Sequence, residues 1–424
     1  MLGGAGELER LQRLSGGANM ESWSFDRAGK GYVLRRAPTA ALMVGRPFGH
    51  DVEAALIRLA RAHEVRAPEV VGELRAEDGL GSGYLMRRVA GEVRPQVILA
   101  APPPGLLGQL AEELAKVHAI PLGEIPDGLP RASPAALRDE LERRFVGYGG
   151  DRPVMALALA WLRRQLPEDV PPVLLHGDFR MGNLMVDAEG VAAVLDWELA
   201  HLGDRHQDLA FGCINSWRFG QIDRPAFGFG PFEELFEVYE AASGVTVDRA
   251  RFRWWLVYST LWWGLCCLQM ADIWRVGGDR GLERLVIGRR ASETEVDLLL
   301  LLEEDAPEAE RGRIEVHKTL VKQPRGEPSP QELLEALGSW VGSLKPQLEG
   351  RQRFEAAVAL NVIGMLTREG EDRFDRALAG DLLHERQTLA TPGLLARLRR
   401  DALAKLATDQ PKYSALARAR KLWC

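Results

Sequence analysis

The segment LLHGDFRMGNLMVD (residues 174–187), followed by VLDWE (residues 194–198), is the most informative part of this sequence. It places Asp178, Asn183 and Asp196 at spacings that suit phosphoryl transfer from a magnesium nucleotide. Such a transfer requires a carboxylate near the acceptor hydroxyl, which Asp178 can supply. It also requires oxygen ligands for Mg²⁺, which Asn183 and Asp196 can supply. The sequence therefore predicts a phosphoryl-transfer site around these three residues.

A β-hairpin is predicted between the asparagine and the second aspartate. Residues 184–186 form a short apolar strand, residues 187–190 a turn that contains glycine, and residues 191–195 the returning strand. The two strands of a hairpin lie about 5 Å apart. We therefore expect Asn183 and Asp196 to meet at one end of the hairpin, where a single ion could bridge them.

The pattern His-Gly-Asp-x-x-x-x-Asn followed by Leu-Asp-Trp-Glu resembles the aminoglycoside phosphotransferase and choline kinase superfamily, which shares the protein kinase-like fold. The longer string resembles one branch, the kinase domains that are fused to, or encoded beside, acyl-CoA dehydrogenases. The similarity runs from about residue 11 to about residue 302. The resemblance implies that Asp178 is the catalytic base, that Asn183 and Asp196 bind magnesium, and that His176 is structural and braces the catalytic loop.

Two parts of the N-terminal region are predicted to hold the phosphates of the nucleotide. Ser15, Gly16 and Gly17 lie between the first two strands, where backbone N–H groups can approach phosphate oxygens. A cation that clamps the phosphates belongs on the third strand, and its carboxylate partner belongs on the following helix. Arg35 and Glu53 occupy those positions, so arginine stands where many relatives have lysine.

The third strand and the end of the small lobe complete the predicted nucleotide pocket. Strand alternation allows only one of Arg35 and Arg36 to face the phosphates, and the resemblance favours Arg35. The segment 85–89, at the end of the small lobe, is predicted to be the hinge between two lobes. There Met86 is expected to flank the adenine, and backbone groups of Arg87 and Val89 to pair with its edge. ATP as the donor follows from the family resemblance alone.

The sequence says less about the residues that bind the acceptor. Arg180 either contacts a phosphate or an acidic acceptor, or pairs with Asp204 or Asp208, and the pairing is favoured. Glu198 is expected to be a supporting residue or a further metal ligand. The helical region shows no obvious acidic cluster, as polycationic aminoglycosides would need, so an antibiotic acceptor is disfavoured.

Composition excludes several classes of protein. The chain has 424 residues and a net charge of −6, which does not suggest a nucleic-acid partner. The adjacent Cys266 and Cys267 suit buried small hydrophobes in a reducing compartment. The N-terminus lacks the features of a secretory signal. The apolar segment 254–270 contains Ser259 and Gln269, so a buried helix is favoured over a membrane span, and we expect a cytoplasmic protein.

Hydrophobic periodicity predicts a small β-sheet region followed by a mostly helical remainder. Together with the family resemblance, this implies an α+β, bilobal protein kinase-like fold, with a small β-sheet lobe and a large helical lobe, followed by a small all-α domain. Ser292 and Glu295 predict a capping box for a helix over residues 293–302. The C-terminal domain is predicted to contain three or four helices, at residues 333–342, 354–368, 372–389 and 392–409. The predicted domains are an N-terminal nucleotide-binding lobe (1–91), a helical catalytic lobe (92–305), a linker (306–328) and a C-terminal helical domain (329–424).

The leading hypothesis is a Mg²⁺-dependent kinase that transfers the γ-phosphoryl group of ATP to a hydroxyl of a small molecule. Relatives fused to acyl-CoA dehydrogenases suggest a hydroxyacyl-CoA or a similar metabolite as the acceptor. The alternative is a catalytically silent nucleotide-binding module that regulates a partner protein, or a second copy of itself, through the C-terminal helices. Protein kinase activity is disfavoured, because no Asp-Phe-Gly or Ala-Pro-Glu motif follows Asp196.

Overall fold

A computed structural model describes residues 7–14, 20–277, 282–314, 330–369 and 375–424. The chain divides into two compact units. The first unit comprises Met1–Pro134 and Pro167–Leu256, and the second comprises Ala135–Leu166 and Val257–Cys424. Ser15, Gly16 and Gly17 lie outside the described residues, so their predicted role stays a prediction.

The described strands all belong to the first unit. They are β1 (Glu9–Arg13), β2 (Glu21–Arg27), β3 (Lys30–Ala37), β4 (Val70–Glu73), β5 (Ser82–Arg87), β6 (Val173–Leu175), β7 (Leu184–Asp187), β8 (Gly190–Val194) and β9 (His201–Gly203). The first five form one antiparallel sheet in the order β1-β2-β3-β5-β4, while β6 pairs with β9 and β7 with β8.

The described helices follow the same chain order. They are α1 (His50–Ala62), α2 (Pro95–Ala100), α3 (Leu106–Ala119), α4 (Pro134–Gly147), α5 (Pro153–Arg164), α6 (Arg205–Phe211), α7 (Phe232–Ser243), α8 (Arg249–Arg275), α9 (Leu282–Arg289), α10 (Ala291–Leu302), α11 (Pro330–Leu344), α12 (Gly350–Arg368), α13 (Arg376–Leu383), α14 (Leu394–Asp409) and α15 (Ser414–Trp423). A small antiparallel sheet with a mostly helical remainder confirms the predicted α+β class.

The five-stranded sheet is held by tight turns and an apolar face. β2 and β3 are joined through Ala28 and Gly29, whose φ angles of 51° and 72° suit the turn that joins twisted antiparallel strands. Phe25, Tyr32 and Leu85 form a buried cluster on the sheet. Helix α1 packs on β4 and β5 through alanine, leucine and isoleucine side chains at helical spacing. The sheet and α1 together fix the positions of the residues at the end of β3.

The apolar segment 254–270 lies within α8 and is largely buried, as the sequence predicted. Trp254, Trp255 and Leu261 are each at most 1% exposed. Among the helices of the described ranges, none combines the length and the apolar character that crossing a bilayer requires. Cys266 and Cys267 are buried in this helix, as the sequence predicted, and both are free cysteines.

The second unit is helical in its described residues. α5 packs against α13 and α10, α10 also against α14 and α15, and α12 against α11 and α9. Lys405 donates to Glu295 at 2.9 Å, and both side chains are buried within this core. The predicted domain boundary at 306–328 lies mostly in residues outside the described ranges and stays a prediction.

Two local predictions in the second unit are wrong. Ser292 does not cap α10, because the helix begins at Ala291 and the Ser292 hydroxyl donates to the Arg289 carbonyl at 3.0 Å. Glu295 binds Lys405 instead of a helix N-terminus. The helix predicted over 372–389 is described only as α13, which ends at Leu383, and α15 was not predicted.

Candidate active site

The hairpin β7–β8 brings the asparagine and the second aspartate to the same end, as predicted. Leu184 pairs with Val194, and the Leu195 amide donates to the Asn183 carbonyl at 2.8 Å. Asp196 follows directly with a φ of 65°. This left-handed conformation is uncommon outside glycine, is tolerated best by Asn and Asp, and recurs at functional sites. The turn out of the strand therefore directs Asp196 away from the hairpin ladder.

Asp178 lies on the loop before β7 with its carboxylate fixed on both oxygens. Arg180 Nε donates to Asp178 Oδ1 at 2.8 Å, and Asn183 Nδ2 donates to Asp178 Oδ2 at 2.5 Å. Asp178 is only 9% exposed. Burial raises the pKa of this carboxyl to about 6, against the opposing effect of the Arg180 charge. A carboxylate with a pKa near neutrality can both take and release a proton under physiological conditions.

His176 connects the catalytic loop to the segment that carries Asp196. The Asp178 amide donates to His176 Nδ1 at 3.2 Å, so that nitrogen is an acceptor. Nε2 therefore carries the proton and donates to the Leu195 carbonyl at 3.0 Å. Burial lowers the pKa of His176, which keeps the ring neutral. Trp197 and Phe179 enclose the ring at centroid distances of 4.7 and 5.9 Å.

Asp208, from α6, anchors the backbone of the same loop. Its carboxylate is fully buried and accepts hydrogen bonds from the amides of His176 at 2.7 Å and Gly177 at 2.9 Å. Although burial opposes ionisation, the hydrogen bonds from His118 and from the Gly177 amide hold the pKa of Asp208 below its usual range. Gly177 has a φ of 81°, and a Cβ there would lie 2.1 Å from the Leu199 carbonyl oxygen. Only glycine fits at this position.

The favoured prediction for Arg180 is wrong. Arg180 pairs with the catalytic-loop carboxylate Asp178 and not with Asp204 or Asp208. Asp204 is instead held by Arg251 at 2.7 Å and by other partners. The Arg180 guanidinium also stacks on the Trp217 ring at 4.3 Å from the centroid. The stacking holds a cation beside the candidate base.

Arg35 faces the site, as the resemblance predicted. Its Nη2 donates to Asp196 Oδ1 at 2.7 Å, and its Nε lies 3.4 Å from Glu53 Oε1 on α1. Although burial opposes the charge, the carboxylates of Asp196 and Glu53 raise the pKa of Arg35. Burial raises the pKa of Glu53, whose Oε1 also accepts from the Tyr84 hydroxyl at 2.9 Å. Arg35, Glu53 and Tyr84 therefore form one network, and its predicted role in holding phosphates stays a prediction.

Arg36 lies on the opposite side of the strand. It donates to Glu21 Oε2 from Nε at 2.9 Å and from Nη2 at 2.8 Å. Glu198, two residues after Asp196, accepts hydrogen bonds from Arg35 and from Arg46, the latter at 2.5 Å. Arg46 belongs to the connection between β3 and α1, so this connection contributes a second cation to the site.

The backbone at the end of β5 is partly engaged in the sheet. The Arg87 amide donates to the Glu69 carbonyl at 2.8 Å. The predicted pairing of an Arg87 backbone group with the adenine edge stays a prediction. The Arg87 guanidinium packs over the Tyr32 ring at 4.6 Å. Met86, in β5, and Val89, just after it, are both half-buried, and their predicted contacts with adenine stay predictions.

Comparison with known proteins places this geometry in a family. Residues 10–255, more than half of the chain, match the model of the phosphotransferase enzyme family. The chain belongs to this family. The phosphotransferase is 27% identical over 266 residues to acyl-CoA dehydrogenase family member 10 of Mus musculus, a match that covers 57% of this chain and 24% of that relative. The chain thus spans about a quarter of that relative's length.

Two further comparisons agree with this assignment. Aminoglycoside 3'-phosphotransferase of Escherichia coli is 27% identical over 200 residues, which cover 43% of this phosphotransferase and 71% of that enzyme. The solved structure of a Ralstonia eutropha protein classed as an aminoglycoside phosphotransferase superposes with a TM-score of 0.55 at 20% identity, and covers 71% of this chain and 94% of that one. The predicted family and the predicted kinase-like fold are confirmed.

The residues of the phosphotransferase fit a magnesium ion. Asn183 Nδ2 is committed to the Asp178 carboxylate and carbonyl, so Oδ1 remains as the ligand atom of this amide. Asp196 presents a carboxylate whose side chain is 29% exposed. An amide oxygen and a carboxylate oxygen are the hard donors that Mg²⁺ prefers, with substrate phosphates and water completing its shell. Within the described ranges, no group of three or more His, Cys, Asp or Glu side chains forms a metal cluster.

Four residues of the site were not predicted from the sequence. Asp208 lies in the string GDRHQD, where it appeared as a pairing partner of Arg180 and not as the anchor of the loop. Tyr84 and Trp217 carry no signal beyond apolar character. Arg46 is the single charged side chain in the segment ALMVGRPFG (41–49), which was a visible hint.

Proposed function

We propose that this phosphotransferase moves the γ-phosphoryl group of ATP to the hydroxyl of a small molecule. The observation that carries the proposal is the Asp178 carboxylate, which is buried, fixed between Arg180 and Asn183, and has its pKa raised to about 6. Such perturbed carboxylates in clefts are characteristic of catalytic bases.

The proposed reaction uses the residues of the loop in sequence. Asp178 accepts the proton of the acceptor hydroxyl as its oxygen forms a bond to the γ-phosphorus. The bond from that phosphorus to the β–γ bridging oxygen breaks, and ADP leaves with the electron pair. Arg180, held on Trp217, supplies a positive charge beside the transferred group. Mg²⁺, when bound by Asn183 and Asp196, would neutralise charge on the phosphates.

The small lobe is proposed to orient the nucleotide. Arg35 is already directed at Asp196 and is fixed by Glu53, which Tyr84 holds in turn. A planar guanidinium suits bidentate contact with phosphate oxygens. This network provides a preformed cation at the point where the metal ligand and the phosphates would meet.

For the acceptor we favour a hydroxyacyl-CoA or a similar hydroxylated metabolite. The support is the match to acyl-CoA dehydrogenase family members, which exceeds in chain coverage the match to an aminoglycoside phosphotransferase. The net charge of −6 does not by itself indicate a cationic acceptor.

An acceptor panel tests the proposal. ADP release from MgATP is measured with hydroxyacyl-CoA esters, other hydroxylated metabolites, aminoglycosides and no acceptor, and products are identified by ³¹P NMR. We expect a phosphate monoester with one acceptor class and loss of at least about 100-fold in rate in Asp178→Asn. Asp139→Asn, on an exposed face of α4, is the matched control and should keep the rate. Nucleotide binding without turnover across the panel would favour the regulatory module.

A further inference from the structure

Arg46 lies in the candidate site although it comes from the connection between β3 and α1. Its side chain is 13% exposed, and its Nη2 donates to Glu198 Oε2 at 2.5 Å. Arg35 donates from its own Nη2 to the same oxygen of Glu198. Two guanidinium groups therefore converge on one carboxylate oxygen.

This convergence places Arg46 next to the proposed metal ligand. Arg35 bridges Asp196 and Glu198 with a single nitrogen, and Arg46 shares Glu198 with it. Two neighbouring guanidinium groups repel each other, and one carboxylate oxygen cannot satisfy both planar forks. A polyanion with several oxygens can accept from both groups, so a chain of phosphates suits this pair better than Glu198 does.

A buried histidine, His50, lies close enough to Arg46 and Arg35 to sense their charges. His50 begins α1 four positions after Arg46, and is 3% exposed. Burial and the charges of Arg46 and Arg35 lower the pKa of His50 to about 4. His50 is therefore neutral at physiological pH and does not compete for the carboxylates. The N-terminus of α1 adds a further partial positive charge at the same end.

We infer that Arg46 is a second phosphate-binding residue of the nucleotide site. It acts beside Arg35 on the terminal phosphates, and Glu198 holds both guanidinium groups in place until phosphate oxygens replace its carboxylate. The inference rests on the proposed function, because it assigns the phosphates of the same nucleotide. It also gives Glu198 the role of holding the two arginines in position. The sequence alone had left open whether Glu198 is a supporting residue or a metal ligand.

Calorimetric titration with ATP, ADP and AMP tests this role. Arg46→Gln should weaken ATP binding about 10- to 100-fold, ADP binding less, and AMP binding by no more than about twofold, because charge-assisted hydrogen bonds to the terminal phosphates are lost. Arg58→Gln removes the same charge from an exposed position on α1 and should leave all three affinities unchanged. Arg46→Lys should retain part of the ATP affinity.

Glu198→Gln separates phosphate binding from a merely structural ion pair. Measured in EDTA, this variant should bind ATP several-fold more tightly, because the carboxylate no longer competes for the arginines. If Arg46→Gln and Glu198→Gln both weaken ATP binding, the ion pair is structural and the inference is overturned. If the wild-type protein binds ATP and Arg46→Gln binds it equally well, the inference alone fails. If the wild-type protein binds none of the three nucleotides, the proposed function fails with it.

Discussion

Replacing Asp178 by asparagine should stabilise the folded protein at neutral pH while it abolishes turnover. Asp178 is held buried, and its pKa is raised from the ordinary 3.8 to about 6. The folded state therefore binds the proton of this carboxyl more tightly than the unfolded chain does. Stability is highest with the proton bound and falls as the pH rises through the window from about 4 to about 6.

The size of the effect follows from the two pKa values. Each unit corresponds to about 1.4 kcal/mol, so the ionised Asp178 lowers the free energy of unfolding by about 3 kcal/mol above pH 7. About 2 kcal/mol of this loss develops between about pH 4.5 and about pH 7.5. Asparagine forfeits the hydrogen bond from Asn183, worth about 1 kcal/mol at every pH. Asp178→Asn should therefore be more stable than wild type by about 2 kcal/mol at neutral pH.

Urea unfolding of both proteins across this pH range measures the difference. The advantage of Asp178→Asn should grow as the pH rises and should reverse sign or vanish near pH 4. The control Asp139→Asn changes an exposed carboxylate and should show no such pH dependence. A difference between Asp178→Asn and wild type that stays constant with pH would refute the assignment of a raised pKa to Asp178.

Three further predictions concern the same loop. Arg180→Met removes the charge that lowers the pKa of Asp178, so that pKa should rise and the acid limb of the pH–rate profile should move up by about one pH unit. An acid limb at the wild-type pH would argue against Asp178 as the base. Asp208→Ala leaves the amides of His176 and Gly177 without their acceptor and should lower the free energy of unfolding by about 3 kcal/mol, measured in urea. A loss below about 1 kcal/mol would contradict the anchoring role. Gly177→Ala brings a Cβ to 2.1 Å from the Leu199 carbonyl oxygen, and should lower the free energy of unfolding by at least about 2 kcal/mol. A melting temperature equal to that of the wild type would contradict this prediction.

The parts of the site that the sequence could predict are local in the chain. Asn183 and Asp196 are joined by a short hairpin whose strand pattern and turn are both visible, so their meeting could be predicted. The facing of Arg35 followed from strand alternation together with the family resemblance. In the hairpin the intervening residues alone fix the geometry, and their strand and turn pattern is visible in the sequence.

The parts that could not be predicted depend on long-range packing. Asp208 reaches the catalytic loop from α6, and its partners are backbone amides that leave no side-chain signature. Arg46 comes from an irregular connection, where no periodicity indicates the direction of a side chain. Arg180 was assigned to an acidic neighbour later in the chain, whereas its partner Asp178 stands two residues before it. Charge alone could not choose among several carboxylates.

The role of Asp178 as the base is tested most directly by single-turnover transfer from [γ-³²P]ATP with excess enzyme, Mg²⁺ and a hydroxyacyl-CoA acceptor. Wild type and Asp139→Asn should place the label in the acceptor at the same rate, whereas Asp178→Asn should bind ATP yet transfer no label on that timescale. Transfer by Asp178→Asn at the wild-type rate would contradict the claim that the Asp178 carboxylate takes the proton of the acceptor hydroxyl.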